Sequence, residues 1–385
     1  MNATDILTEL IGFDTTSRNS NLTLVGWVEA YLAGYGIETR RVPDESGQKA
    51  ALIATVGPAH EPGYVLSGHT DVVPVDGQDW SSDPFDARVV DGLLYGRGAC
   101  DMKGYLACVL AAVPAMVAAN LTRPIHIAFS YDEEVGCTGV RPMLHLIADW
   151  PVRPAGCFVG EPTNMQVITG HKYKISKRVV VRGRTGHSSL APQAVNAAEY
   201  AARLVTYVSD IGRRLATSGP RDDLYDLPHT TAHVGRFTGG TQLNIVPHHA
   251  EFDFEFRAVA PDDPQVLIDE VMAEATRLEA EMQAVDPDTG IDFHPYSNVV
   301  GLDTAPEAEI TVLAKRLAGR NDHAKVAYTT EGGLFADIAG IPTVVCGPGS
   351  IEQAHKADEF IALSELDKCD RFLAALIHHC SAAAA

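Results

Sequence analysis

The sequence predicts an α/β protein: a mainly parallel mixed sheet sandwiched by helices, with a smaller α+β module inserted into it. Three observations carry this. Helix and strand signals alternate from the N-terminus to about Lys174, their character changes there, and the alternation returns after about residue 300. Alternating helices and strands favour a parallel sheet with covering helices. A chain of 385 residues exceeds one ordinary core, and a prior of roughly 150 residues per domain allows two or three domains.

The elements follow in order. Leu24, Val28 and Leu32 recur at helical spacing before Gly34 and Gly36, which marks a helix and its stop. Apolar runs at 64–66, 125–131 and 157–159 predict buried strands, and the almost wholly apolar stretch 102–120 predicts a buried helix between two of them. The insert reads as strand 175–181, helix 193–215, strands 232–237 and 251–259, helix 264–285 and strand 291–296. This β-α-β-β-α-β order is that of a ferredoxin-like module. In "EFDFEFR", Phe252, Phe254 and Phe256 take one face and Glu251, Asp253, Glu255 and Arg257 the other, so one side of that sheet is packed and the other wet. A helix at 310–317, a strand at 343–346 and a closing helix at 364–378 complete the larger domain. The predicted domains are 1–174 with 299–385, and the insert 175–298.

A formal charge of −20 and a pI near 5.1 argue against nucleic-acid or anionic-membrane partners, which reward a basic footprint. No run approaches the roughly 20 apolar residues that span a bilayer, and "MNATDILTEL" lacks a basic flank and an apolar signal core. Seven cysteines scattered without paired spacing suit a reducing compartment. A cytoplasmic protein is expected.

The stretch "LSGHTDVVP" ends a strand on His69 and Asp71. Other strands of the larger domain lead into Asp132-Glu133-Glu134 and Glu161, and ligands of open α/β sheets gather at that carboxyl edge. Asp101 in "YGRGACDMKG" and His355 in "GPGSIEQAHKADEF" join the set. Singly, Asp101 reads equally as a helix N-cap, Glu134 as a solvated loop acid, Glu161 as a turn residue and His355 as a surface imidazole. Together, several carboxylates and two imidazoles on one edge repel unless a cation lies among them, and nitrogen with carboxylate ligation suits zinc or a close relative. His69 and His355 can each serve one ion, Glu161 and Glu134 can each add a carboxylate, and Asp101 can bridge. Two ions about 3.5–4 Å apart can activate water and polarise a carbonyl oxygen at once. Glu133 is left without an ion to bind, which suits a general base that takes a proton from water and gives it to a leaving amine. Asp71 is placed to fix the ring orientation of His69.

"SGHTDVVP", "GRGACDMKG", "DEEVGCTG", "GEPT", "GHSS" and "AHKADEF" together resemble the co-catalytic zinc amidohydrolases, a family that includes aminoacylases, glutamate carboxypeptidase, succinyl-diaminopimelate desuccinylase and acetylornithine deacetylase. The resemblance implies a zinc-peptidase-like catalytic domain holding two divalent ions, zinc or alternatively cobalt, and an inserted lid through which the chain forms a homodimer. It implies that His69 and Glu161 bind one ion, Glu134 and His355 the other, that Asp101 bridges, and that Glu133 is the base. Within the family, "WSSDPF", "GHKYK" and "TTEGGLF" look most like the deacetylases that release L-ornithine and acetate from N2-acetyl-L-ornithine. A small N-acyl amino acid is the implied substrate. The desuccinylases and dipeptidases are the nearest alternative, and a catalytically dead amino-acid-binding relative is a further one.

The insert supplies His187, in "RTGHSS", which resembles the family loop whose imidazole crosses to the second copy's site and stabilises a developing oxyanion. Without the resemblance it reads as a cap of the following helix. Arg257 and Asn244 fit the family's contacts to a substrate carboxylate and polar groups; Arg257 can as easily pair with Glu255 or Asp253. Glu331, among glycines, is a candidate for a substrate ammonium, and Lys172 a pocket candidate.

Overall fold

The structure, a computed structural model, describes residues 1–382. It divides into two compact units: Met1–Gly170 with Leu302–Lys325 and the chain from Thr330 onward, and His171–Gly301 with Val326–Thr329.

The first unit is built on a nine-stranded mixed sheet. Its order is Thr39–Pro43, Ala50–Val56, Ile125–Ser130, Tyr64–His69, Gly156–Pro162, Thr343–Gly347, Ile168–His171 and Leu302–Asp303, with Ala324–Val326 also beside Ile168–His171. The four central strands, from Ile125–Ser130 to Thr343–Gly347, run parallel. They are buried along their whole length, as strands covered on both faces are. Antiparallel pairing extends the sheet on either side. The parallel character is therefore confined to the centre. Sequence reasoning does not find Thr39–Pro43, a polar edge strand, "TRRVP", with little apolar signal, nor Ala50–Val56, although "AALIATV" is an apolar, buried run inside the sheet.

The apolar stretch expected at 102–120 forms the helix Lys103–Ala118, which packs against Ala3–Ile11 and Leu363–Cys380. Helices Val140–Ala148 and Gly332–Ile338 pack against each other. Two glycines let the 103–118 helix close on the sheet. A Cβ on Gly68 would lie 2.7 Å from Met102 and Leu106, and one on Gly160 would lie 2.1 Å from the ring of Tyr105. Each of these glycines directly precedes a candidate ligand, His69 or Glu161.

The second unit is a four-stranded antiparallel sheet in the order Thr231–Gly239, His249–Ala258, Tyr173–Arg182, Gly290–Val299, with helices Ala197–Ser218 and Pro264–Gln283. This is the ferredoxin-like arrangement. Phe252, Phe254 and Phe256 are buried in a core with Leu204, Val208 and Ile268. The other face carries cross-strand pairs such as Arg178 with Asp253 and Arg182 with Asp292, both at 2.8 Å. The first helix starts later than the predicted residue 193. Asn196 accepts from the backbone N–H of Ala198 and Glu199 and so caps a helix beginning at Ala197, while Ser188–Gln193 forms a separate 3-10 turn.

His126 tests the integrity of the large sheet. It is 4% exposed, contacts Thr55 Oγ1 at 2.9 Å through Nδ1, and lies against Trp150. Burial lowers its pKa to about 4. Between that value and the ordinary value near 6.5 the unfolded chain binds a proton that the folded chain refuses, so stability falls as pH drops through this window. His126→Gln is expected to remove up to about 3 kcal/mol of that slope. Urea unfolding of both proteins at pH 7 and pH 4.5 checks this: equal losses on acidification would contradict it.

Candidate metal centre

The three adjacent parallel strands bring their carboxyl ends to one edge, and that alone gathers most of the site. Tyr64–His69 ends on His69, Ile125–Ser130 leads into Asp132, Glu133 and Glu134, and Gly156–Pro162 carries Glu161. Asp101 arrives on the turn before the 103–118 helix, and His355 on the loop after Thr343–Gly347. His69 is 1% exposed, whereas the His355 side chain is about half exposed.

Asp101 stands between the two imidazoles. Its Oδ1 lies 3.1 Å from His69 Nε2 and its Oδ2 lies 3.3 Å from His355 Nε2. Glu134 meets His355 Nε2 at 3.1 Å, and Glu161 Oε1 lies 3.9 Å from His69 Nε2. Two sets of ligand atoms fall within 4.8 Å of one another: those of His69, Glu133 and Glu161, and those of His69, Asp101 and Glu134. By distance alone Glu133 thus sits among the ligand atoms, and its Oε1 also lies 3.4 Å from the thiol of Cys137.

Asp71 ties the strand ends together. Its Oδ1 accepts from Glu133 N–H at 3.1 Å and its Oδ2 from Glu134 N–H at 3.3 Å, while Ser17 Oγ donates to Oδ2 at 2.7 Å. Oδ1 also lies 3.4 Å from His69 Nδ1, whose shorter contact, 2.9 Å, is to the Asp71 carbonyl. Asp71 therefore holds the His69 ring through its backbone carbonyl and anchors the acidic loop through its buried carboxylate. Asp132, at φ +54°, turns that loop and pairs with Lys49 at 2.5 Å.

The electrostatics of this cluster call for positive charge. Burial, and then repulsion from Asp101, pushes Glu161 well above the ordinary carboxylate range and Glu134 up to about 7. Burial, with Glu134, Glu331 and Asp101 nearby, also raises Glu133. Burial works against ionisation of Asp101, but His355 and His69 hold it below the usual range. Asp101 and Glu134 raise His355 to about 10. Glu161 Oε1 is buried with no hydrogen-bond partner, a costly arrangement for an acceptor. A divalent cation answers both the repulsion and the orphaned oxygen, and the imidazole and carboxylate donors fit one.

The structure does not place every predicted residue in this cluster. Glu331 is 1% exposed, and its two carboxylate oxygens accept from Ser130 Oγ and Ser67 Oγ. It ties two central strands together and lies close enough to Glu133 to raise its proton affinity. Lys172 is likewise buried, donating to the His229 carbonyl at 2.6 Å against the ring of Tyr225. Arg257 donates to Glu255 at 2.8 Å. His187 Nδ1 accepts from Ser189 N–H at 3.2 Å and caps the 188–193 turn. Asn244 is exposed, and its carbonyl accepts from Ser188 N–H. Sequence reasoning misses Glu359, whose buried carboxylate holds the backbone N–H of Asp101 at 3.0 Å. The signal was present as the last acid of "AHKADEF", four residues after His355.

A mixed α/β sheet with this cluster at its carboxyl edge defines a metal-dependent hydrolase. The chain belongs to Peptidase family M20/M25/M40, whose sequence profile matches residues 65–379, and it is a metal-dependent amidohydrolase. It is 32% identical to acetylornithine deacetylase of Proteus mirabilis (strain HI4320) over 356 residues, 92% of this chain and 88% of that one. Its fold is similar to that of the aminopeptidase PepT from Bacillus cereus ATCC 10987, with a TM-score of 0.77 and 20% identity across 98% of this chain and 97% of the other. It is also similar to that of an M20 family metallo-carboxypeptidase from Sulfolobus solfataricus, with a TM-score of 0.76 and 19% identity across 98% of both chains.

Asp71→Asn places an amide where three donors converge. Mismatched donors on a buried group cost about 1–3 kcal/mol, and activity is expected to fall at least tenfold, in line with the effect of removing an outer partner of a metal ligand. Chemical denaturation and a turnover assay on the variant check both; unchanged activity would show that Asp71 does not orient the cluster.

Proposed function

We propose that the chain cleaves the amide of N2-acetyl-L-ornithine to L-ornithine and acetate, as its relatives' name describes for them. The observation that carries a two-ion hydrolytic site is the contact of Asp101 with both imidazoles through separate oxygens. In this reading His69 and Glu161 hold one divalent ion, Glu134 and His355 the other, and Asp101 is shared. Zinc suits the donors best, with cobalt as a substitute. Bound there, the ions supply Lewis acidity toward the substrate carbonyl and lower the pKa of water.

The protein's own residues do the rest. Glu133 takes the proton of the attacking water and returns it to the amine that leaves. Burial raises its proton affinity, which suits a group that must both accept and release a proton. Asp71 holds the His69 ring, and its bonds to Glu133 N–H and Glu134 N–H keep the base beside the ligand.

The inserted unit acts in this proposal as a lid and dimerisation module. Apolar side chains stand exposed on it, among them Leu243 at 99%, Leu190 at 52% and Ile245 at 41%, and such patches commonly mark protein contacts. His187 reaches the site of a second copy, and Arg257 and Asn244 meet the substrate. The seven cysteines are free and buried, as suits a reducing compartment, and in this proposal the chain is a cytoplasmic homodimer of arginine biosynthesis; no helix among the described residues is long and apolar enough to cross a membrane.

Glu133→Gln is expected to lower kcat by about 10²–10⁴-fold while bound zinc, measured by atomic absorption, stays at the wild-type level. Turnover near wild type would remove Glu133 as the base. For the substrate, zinc- and cobalt-loaded enzyme is assayed against N2-acetylornithine, N-succinyl-diaminopimelate and a dipeptide. The highest kcat/KM on acetylornithine is expected, and a preference for either other substrate would reassign the enzyme within its family.

A further inference from the structure

Asp101 and His355 come from loops more than 250 residues apart in sequence, yet their side chains must meet at a spacing that serves two ions. A closed circuit of hydrogen bonds joins those loops beneath the cluster. Glu359 is 1% exposed, and its carboxylate accepts four bonds: Cys100 N–H at 2.9 Å and Asp101 N–H at 3.0 Å on Oε1, Gly98 N–H at 3.1 Å and Arg97 Nη1 at 2.7 Å on Oε2. Arg97, equally buried, lies over the Trp80 ring and donates through Nη2 to Gln78 Oε1. Gln78 closes the circuit, since its Nε2 donates to the His355 carbonyl at 3.0 Å.

We propose that Glu359 and Gln78 are positioning residues for the two ion sites, Glu359 fixing the turn that delivers Asp101 and Gln78 fixing the backbone of His355. The inference rests on the two-ion reading above. A buried Arg–Glu pair by itself contributes uncertainly to stability. This pair differs in where its remaining capacity goes. Three backbone N–H groups of the Asp101 turn fill the carboxylate, and the guanidinium passes the link to an amide that grips the other loop. Short antiparallel pairing of Phe360–Ala362 with Leu93–Tyr95 carries the same two chain segments side by side. Outer partners of this kind typically change metal affinity by about 10–100-fold.

The circuit makes an asymmetric prediction. Asp101 serves both ions, so loosening it through Glu359→Gln, whose amide would face N–H donors, weakens both. Gln78→Glu keeps the oxygen that accepts from Arg97 and removes the N–H that reaches His355, so it weakens one. Zinc affinity is measured by competition with a chromophoric chelator in two single-site backgrounds, Glu161→Ala, which leaves the His355 ion, and Glu134→Ala, which leaves the His69 ion. Gln78→Glu is expected to reduce affinity at least tenfold in the first and by less than about twofold in the second. Glu359→Gln is expected to reduce it at least tenfold in both. Should Glu359→Gln fail to fold, Gln78→Glu, on a part-exposed residue, still decides the matter. Equal effects of Gln78→Glu in the two backgrounds, or none in either, would overturn the positioning role. A parent protein that binds fewer than two zinc equivalents would overturn the two-ion reading and this inference with it; a parent that binds two, with variants indifferent, would overturn this inference alone.

Discussion

Mutual repulsion among buried carboxylates is the constraint on which this structure turns. Asp101, Glu133, Glu134 and Glu161 converge at the edge of one sheet, where burial removes the water that elsewhere screens such charges. The arrangement is tolerable only with positive charge among them, and two imidazoles supply the nitrogen ligands that draw a divalent ion. The parallel centre of the sheet is what makes the convergence possible: strands running the same way deliver their terminal residues to the same edge.

Three buried acids tie the elements of the site to one another. Asp71 ties a strand end to the acidic loop, and Glu359 ties the Asp101 turn to the segment after His355. Glu331 links Ser67 and Ser130 on two central strands just before they reach the site. Each is almost fully buried, and each is held by several donors. Buried charges of this sort are dear unless fully satisfied, which is why their partners come from the backbone and hydroxyls of the very loops they position.

Much of this was legible in the sequence, for identifiable reasons. Apolar runs ending in His or acidic residues revealed His69, Asp71, Glu133, Glu134 and Glu161, because a fully buried strand is a conspicuous signal and its end is a defined place. The strict alternation around Phe252, Phe254 and Phe256 likewise announced a half-buried strand. The edge strand Thr39–Pro43 is not legible, since a partly wet strand has no apolar run to show. The burial of Glu331 is not legible locally: its neighbours Gly332 and Gly333 carry no apolar side chain, yet both are buried at the start of a helix. Glu359 lies within "AHKADEF", but its role is not legible there: nothing local distinguishes an acid bound by distant backbone from one bound by water. Where Arg257 pairs with Glu255 on its own strand, the alternative noted from sequence is the contact the structure contains.

Diffraction from crystals grown with zinc, recorded on both sides of the zinc absorption edge, tests the central claim most directly. The account predicts two anomalous peaks, one beside His69 and Glu161, the other beside His355 and Glu134, with Asp101 between them. Anomalous peaks found only at scattered surface histidines, with the carboxylate cluster bare, would contradict it.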